Sequence, residues 1–128
     1  MIDQVLFEHI ESTLTQFTFR YGSAENTEYP FVVVRKISDL ERSTTLCKNQ
    51  GECGKALFQF SCYTGSNSAE SLIYANSVKK EIAKILGVLG TTNINANETK
   101  GAVILNNGDN TNLIWSAIFE TTLSWESV

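Results

Sequence analysis

The sequence predicts an α+β domain: a single, mostly antiparallel sheet with two helices packed on one face. Three observations lead there. Two segments repeat apolar residues at helical spacing, four or more alternate apolar and polar residues, and the helical and strand segments come in blocks without strict βαβ alternation. The chain has 128 residues and one proline, which suits one domain, residues 1–128, without a long open linker.

The elements follow in order. Ile2, Val5, Leu6, Ile10, Leu14 and Phe17 keep three-four spacing and predict an N-terminal helix. His9 sits beside that stripe, with no partner suggested by spacing, and reads as a partly covered helix residue. Phe17 to Tyr21 alternates and predicts a short strand. Residues 22–28 are polar and turn-like. Pro30 has no N–H to donate, so it belongs at a strand start, and Phe31 to Ile37 is a β-branched run.

Ser38 to Gly54 is the least regular stretch and reads as a long, mobile loop. A loop of that length in a compact domain often carries function. Leu57 to Tyr63 then alternates cleanly, with Phe58, Phe60 and Cys62 on one face. Asn67 and Glu70 have capping-box spacing. The helix they open places Ala69, Leu72, Ile73, Ile82, Ile85, Leu86 and Leu89 on an apolar face, with Gly87 and Gly90 as stops. Lys79, Lys80 and Lys84 suit the C-terminal end of the helix dipole and read first as a solvated face, second as a docking patch.

Asn93 to Lys100 is polar and ambiguous, with a short strand and turn as its reading. Ala102 to Leu105 is a strand, Asn106 to Asn110 a turn with a hairpin-forming Asn-Gly, and Leu113 to Trp125 a long strand paired back antiparallel. The sheet face away from the helices carries Gln59, Ser61, Ser116, Glu120 and Thr122. With few large apolar groups, it can face water or another subunit.

Several function classes lose ground on charge and composition. A net charge of −4 opposes sequence-specific nucleic-acid binding, which needs clustered positive charge. The longest apolar run, Phe31 to Val34, is far short of a membrane helix. No basic, apolar leader opens the chain, so a cytoplasmic origin is expected.

Candidate chemistry is sparse. Three cysteines suggest reduced thiols. Cys62 reads as a small buried hydrophobe, whereas Cys47 and Cys53 flank a polar loop and can close it on oxidation or supply two metal ligands. A structural zinc site needs four ligands, and the single histidine lies in another element. Gly51 to Lys55 resembles the tail of a phosphate loop but lacks the Ser/Thr after lysine and precedes a strand. No spacing marks a Cys–His pair or a carboxylate pair, so neither catalysis nor a cofactor is expected.

The order of pieces carries a resemblance. Tyr29-Pro30-Phe31-Val32-Val33 opens the first strong strand and a variable polar loop follows. Ala56-Leu57-Phe58-Gln59-Phe60-Ser61-Cys62-Tyr63-Thr64-Gly65 leads at once into a helix near Ser68-Ala69. Ile114-Trp115-Ser116-Ala117-Ile118-Phe119-Glu120 begins the closing strand. From Met1 to Trp125 this resembles the tail-completion, or tail-terminator, proteins of long-tailed bacteriophages. The resemblance rests on patterns of strand and helix, not on invariant chemical residues.

The resemblance implies a structural, non-enzymatic virion protein, assembled in the cytoplasm of the host bacterium. It would form a homo-oligomeric ring, usually a hexamer, at the head-proximal end of the tail tube. That ring would end tube growth and join the head, with the tail-tube protein and a head-completion or connector protein as partners. The 38–54 loop would supply contacts on assembly through Leu40, Arg42, Leu46 and Lys48. The alternatives are another neck component, such as a head-closure or minor capsid protein, and more distantly a small thiol-dependent enzyme or regulator using Cys47 or Cys53.

Overall fold

The computed structural model describes residues 2–22, 28–42, 53–106 and 114–127. Along the chain come α1 (Ile2–Thr13), β1 (Phe19–Tyr21), β2 (Phe31–Arg42), β3 (Cys53–Gly65), α2 (Ser68–Ile82), β4 (Gly87–Leu89), β5 (Thr92–Thr99), β6 (Val103–Asn106) and β7 (Trp115–Ser127). The strands make one sheet in the order β1-β2-β3-β7-β5-β4, and β6 pairs with β7 on the edge that β5 leaves free. β1 and β2 run parallel and every other pair is antiparallel, so the sheet is mixed. The parallel pair is possible because β1 has only three residues. A return of about 10 Å brings the chain back to its start.

The alternation of β3 decides which side becomes core. Ala56, Phe58, Phe60 and Cys62 are all fully buried, as are Ala117 and Leu123 on β7. Phe60 pairs in register with Phe119, and the rings stack with centroids 5.0 Å apart. Such aromatic pairs stabilise beyond their buried area, by about 0.5–1.5 kcal/mol.

The sheet curls into a half-barrel, and α1 occupies the hollow. Ile2, Leu6 and Ile10 enter the core cluster. Phe7 reaches Tyr21 of β1, ring centroids 4.3 Å apart, and Phe58 of β3 at 6.1 Å. The opposite flank, Val5, Glu8, His9 and Ser12, lies against Val88, Leu89 and Gly90 at the β4 end. One helix thus touches both end strands of the sheet.

α2 packs on β3 and β7 through Ser71, Ala75, Val78 and Ile82, which corrects the apolar face expected from its sequence. Ile73 is 67% exposed and Leu86 61% exposed. At 100° per residue Ile73 lies far round the helix from Ser71 and Ala75. Ile82 and Ile85 are buried as the apolar pattern expects, but the first half of the inward face is built from the small residues Ser71 and Ala75, so the pattern misplaces that half. Ser71 can be buried because its hydroxyl bonds the Trp115 carbonyl at 3.1 Å and meets the Thr64 hydroxyl.

Polar groups also fix the two ends of α2. Asn67 Oδ1 accepts from the Ala69 and Glu70 amides, at 3.0 and 3.2 Å. At the other end Asn97 Nδ2, from β5, donates to the Ile82 and Ile85 carbonyls at 2.9 and 3.0 Å. Those bonds and two i→i+3 bonds, Lys84 to Glu81 and Ile85 to Ile82, end the helix before Gly87. Gly87, with φ of +93°, then opens β4.

The 38–54 loop is shorter than the sequence suggests. β2 continues to Arg42 and β3 begins at Cys53, with pairing from Ser38↔Leu57 to Arg42↔Cys53 after a bulge between Lys36 and Ser38. Ser38 and Asp39 are exposed although they pair with Leu57 and the fully buried Ala56. Backbone pairing with β3 makes the segment strand. Residues 43–52 lie outside the described residues.

Removing the Asn97 amide leaves the last carbonyls of α2 without their donor. Asn97→Ala is expected to lower unfolding free energy by about 1–3 kcal/mol, read as a lower denaturant midpoint at unchanged m-value.

Candidate functional site

Both helices contribute to one core on the inner face, and among the described residues no helix lies on the outer face of the sheet. Cross-strand register aligns its residues in rows. Val103 pairs with Ile118, Ile118 with Ser61, and Ser61 with Val33. In the next row Leu105 pairs with Ser116, Ser116 with Tyr63, and Tyr63 with Phe31. On the other side come Glu120, Gln59 and Arg35, then Glu98, Thr122 and Leu57.

This face is more apolar than expected. Gln59, Ser61, Ser116, Glu120 and Thr122 lie there as the alternation predicts, but Ser61 and Ser116 are buried between larger neighbours. Val103 is 61% exposed and Leu105 43% exposed. With Ile118 they border a groove of about 380 Å³ whose polar end is Gln59, Lys100 and Glu120. The apolar run of β6 gave the signal: in Val103-Ile104-Leu105 the alternation of a strand must turn two of three side chains to one face.

A second groove, of about 490 Å³, lies on the helix side. Phe17, Tyr29, Pro30, Ile73 and Tyr74 line it, with Thr64, Glu70 and Ser77 at its polar rim. Phe17 and Tyr74 meet edge to face at 5.6 Å. Burial pushes the Tyr74 hydroxyl pKa up, with a smaller upward push from Cys62 and a lowering by a backbone hydrogen bond at Thr18. Tyr29 stacks on Phe31 at 5.4 Å and Phe31 on Tyr63 at 5.1 Å. This aromatic ladder joins the rim of the second groove to the outer face.

The chemically reactive residues are not brought together by these surfaces. Cys62 is a free thiol on the inner face of β3, fully buried, and burial pushes its pKa from 9.0 up to about 12. At neutral pH it is a thiol, not a thiolate, and a poor nucleophile. Cys53 is disulfide-bonded, and its partner lies outside the described residues. His9 is half-buried on α1 beside β4, and its carbonyl accepts from the Ser12 and Thr13 hydroxyls. Among the described residues no group of three or more His, Cys, Asp or Glu is placed to hold a metal ion, and no helix is long and apolar enough to cross a membrane.

Of the contact residues expected from the sequence, Leu40 and Arg42 fall within β2, opposite Lys55 and Cys53. Leu46 and Lys48 lie outside the described residues. Ile73, Val103 and Leu105, which the loop-centred expectation omits, are among the exposed apolar residues, as are Ile37, Leu86 and Val88. No protein-family model matches the chain, and no curated protein matches it.

The buried thiol gives a measurable consequence. Cys62 should resist alkylation in the native protein at pH 8 and react fully in denaturant, read by mass spectrometry of its peptide. Its native pKa is raised, so its contribution to stability is complete below the unfolded value near 9 and is lost as pH rises towards 12. Cys62→Ala should flatten that alkaline loss.

Proposed function

We propose that this chain is a structural subunit of a bacteriophage tail, a terminator that forms a ring at the head-proximal end of the tail tube. The observation that carries this reading is the pairing of two different, water-exposed apolar surfaces on one small domain. One is the outer sheet face around Ile118, Val103 and Leu105. The other is the helix-side groove around Ile73 and Tyr29.

A closed ring of identical subunits needs two non-identical patches, because each copy meets its two neighbours through different faces. A monomer that only had to remain soluble would gain nothing from apolar side chains on both faces. The order of sequence pieces that resembles tail terminators supplies the biological setting. A mostly antiparallel sheet with both helices on one face supplies a scaffold whose other face is free for a neighbour. In this reading the ring ends tube growth and presents the head-joining surface. The tail-tube protein and a head-completion or connector protein are its partners, and its place is the virion. In this reading Leu40 and Arg42, on β2 opposite Lys55 and Cys53, meet the tube or connector. No catalytic step is part of this role.

Light scattering over a range of concentrations, with and without the tail-tube protein, tests the reading. The expected result is a species of six times the 14.2 kDa subunit mass, formed alone or only when tube ends are present. A monomer under both conditions would remove the ring.

A further inference from the structure

Building on the ring reading, we infer that the exposed side of α2 on one copy docks across the outer sheet face of the next copy. The outward side of this helix is formed by Glu70, Ile73, Ser77, Lys80 and, two residues past its end, Lys84, all exposed. Ile73, at 67% exposure, stands near the middle of that side. A helix held to its own sheet by Ala75, Val78 and Ile82 has no use for an outward isoleucine. The outer face, on which no described helix lies and where Val103 and Leu105 are exposed, has a place for a second helical layer.

Charge and spacing select a second copy as the occupant. Lys80 and Lys84 are four residues apart, about 6 Å along the helix axis. On the outer face Glu98 pairs with Thr122, two residues along β7 from Glu120. One strand spacing and two residues place these two acids about 8 Å apart, within reach of two flexible lysines. Ile73 lies seven residues before Lys80, about 10 Å along the axis. Moving from Glu120 towards the start of β7, the same distance ends between Val103–Ile118 and Leu105–Ser116. One placement therefore sets both lysines over both acids and the isoleucine over the apolar strip. Lys84 has its Glu81 contact at 3.2 Å with the lysine side chain 62% exposed, so it can share its charge with Glu98. Lys100, beside Glu120 in the groove, Arg35, in the row of Gln59 and Glu120, and Lys55, opposite Ser124, are the like charges on this face among the described residues, and they would turn to the rim.

The contact is head-to-tail, which cysteine cross-linking can read. Ile73→Cys and Val103→Cys are made separately and together, and oxidised at high protein concentration and again with tail-tube ends present. Cys62 is buried, and the wild-type chain is the control for native thiols. Mixing the two single variants should give a dimer band that neither gives alone. The double variant should give a ladder of dimers, trimers and higher species. Lys80→Glu should reduce the ladder severalfold, and Lys80→Glu with Glu120→Lys should restore it. No mixed band, or a dimer from Ile73→Cys alone, overturns this docking geometry. A ring-sized particle by light scattering without the mixed cross-link would leave the ring standing and reject this contact. A monomer without a cross-link under every condition would reject both.

Discussion

The closing of a curled sheet by a single helix is the constraint on which the rest of this structure depends. Curling turns the inner face into a hollow and leaves the first and last strands apart in the sheet. α1 fills the hollow with Ile2, Leu6 and Ile10, and its flanks meet β1 through Phe7 and Tyr21 and β4 through Val5 and Glu8. Without that helix the part of the inner face that α2 does not cover, Phe58 and Tyr21 among it, would lose its cover. Burial of this kind is worth about 25 cal/mol per Å² of apolar surface, so the helix and the sheet stabilise one another.

The second helix is attached differently. Its inward side is small, with Ser71 and Ala75 in the first half and Val78 and Ile82 in the second. Fewer apolar atoms stand between helix and sheet, and hydrogen bonds fix its position at both ends. Asn67 caps the start, Ser71 bonds the Trp115 carbonyl, and Asn97 reaches from β5 to the Ile82 and Ile85 carbonyls. Those directional bonds set the rotation of α2 about its own axis. That rotation turns Ile73 and the lysines outward, so an interior polar detail shapes the outer surface.

The surface that results has features of an interface and few of a catalytic centre. The one free thiol among the described residues is locked in the core and held protonated by burial. The exposed apolar residues, by contrast, sit on both layers of the domain. Their grooves are open and shallow, bordered by a few charges. Protein partners use such surfaces with an apolar centre and a polar rim.

Much of this was legible in the sequence. Three-four spacing marked α1, strict alternation marked β3 and β7, and the Asn67 cap marked the start of α2, because each is a local pattern with a fixed period. The inner rows of the sheet followed from the same alternation. Other features required the tertiary structure. The polar stretch from Ser38 to Arg42 is strand because its backbone pairs with β3, and pairing leaves no trace in side-chain hydropathy. The first half of the inward side of α2 was misread because a serine there is satisfied by a carbonyl 44 residues away. The Asn93 to Lys100 stretch is strand through its partners β4 and β7. The candidate interface was least legible of all, since Ile73, Glu98, Val103 and Ile118 are scattered along the chain. Local periodicity fixes which side of an element is apolar, while register and helix rotation, set by contacts distant in sequence, decide which apolar side chains are left facing out.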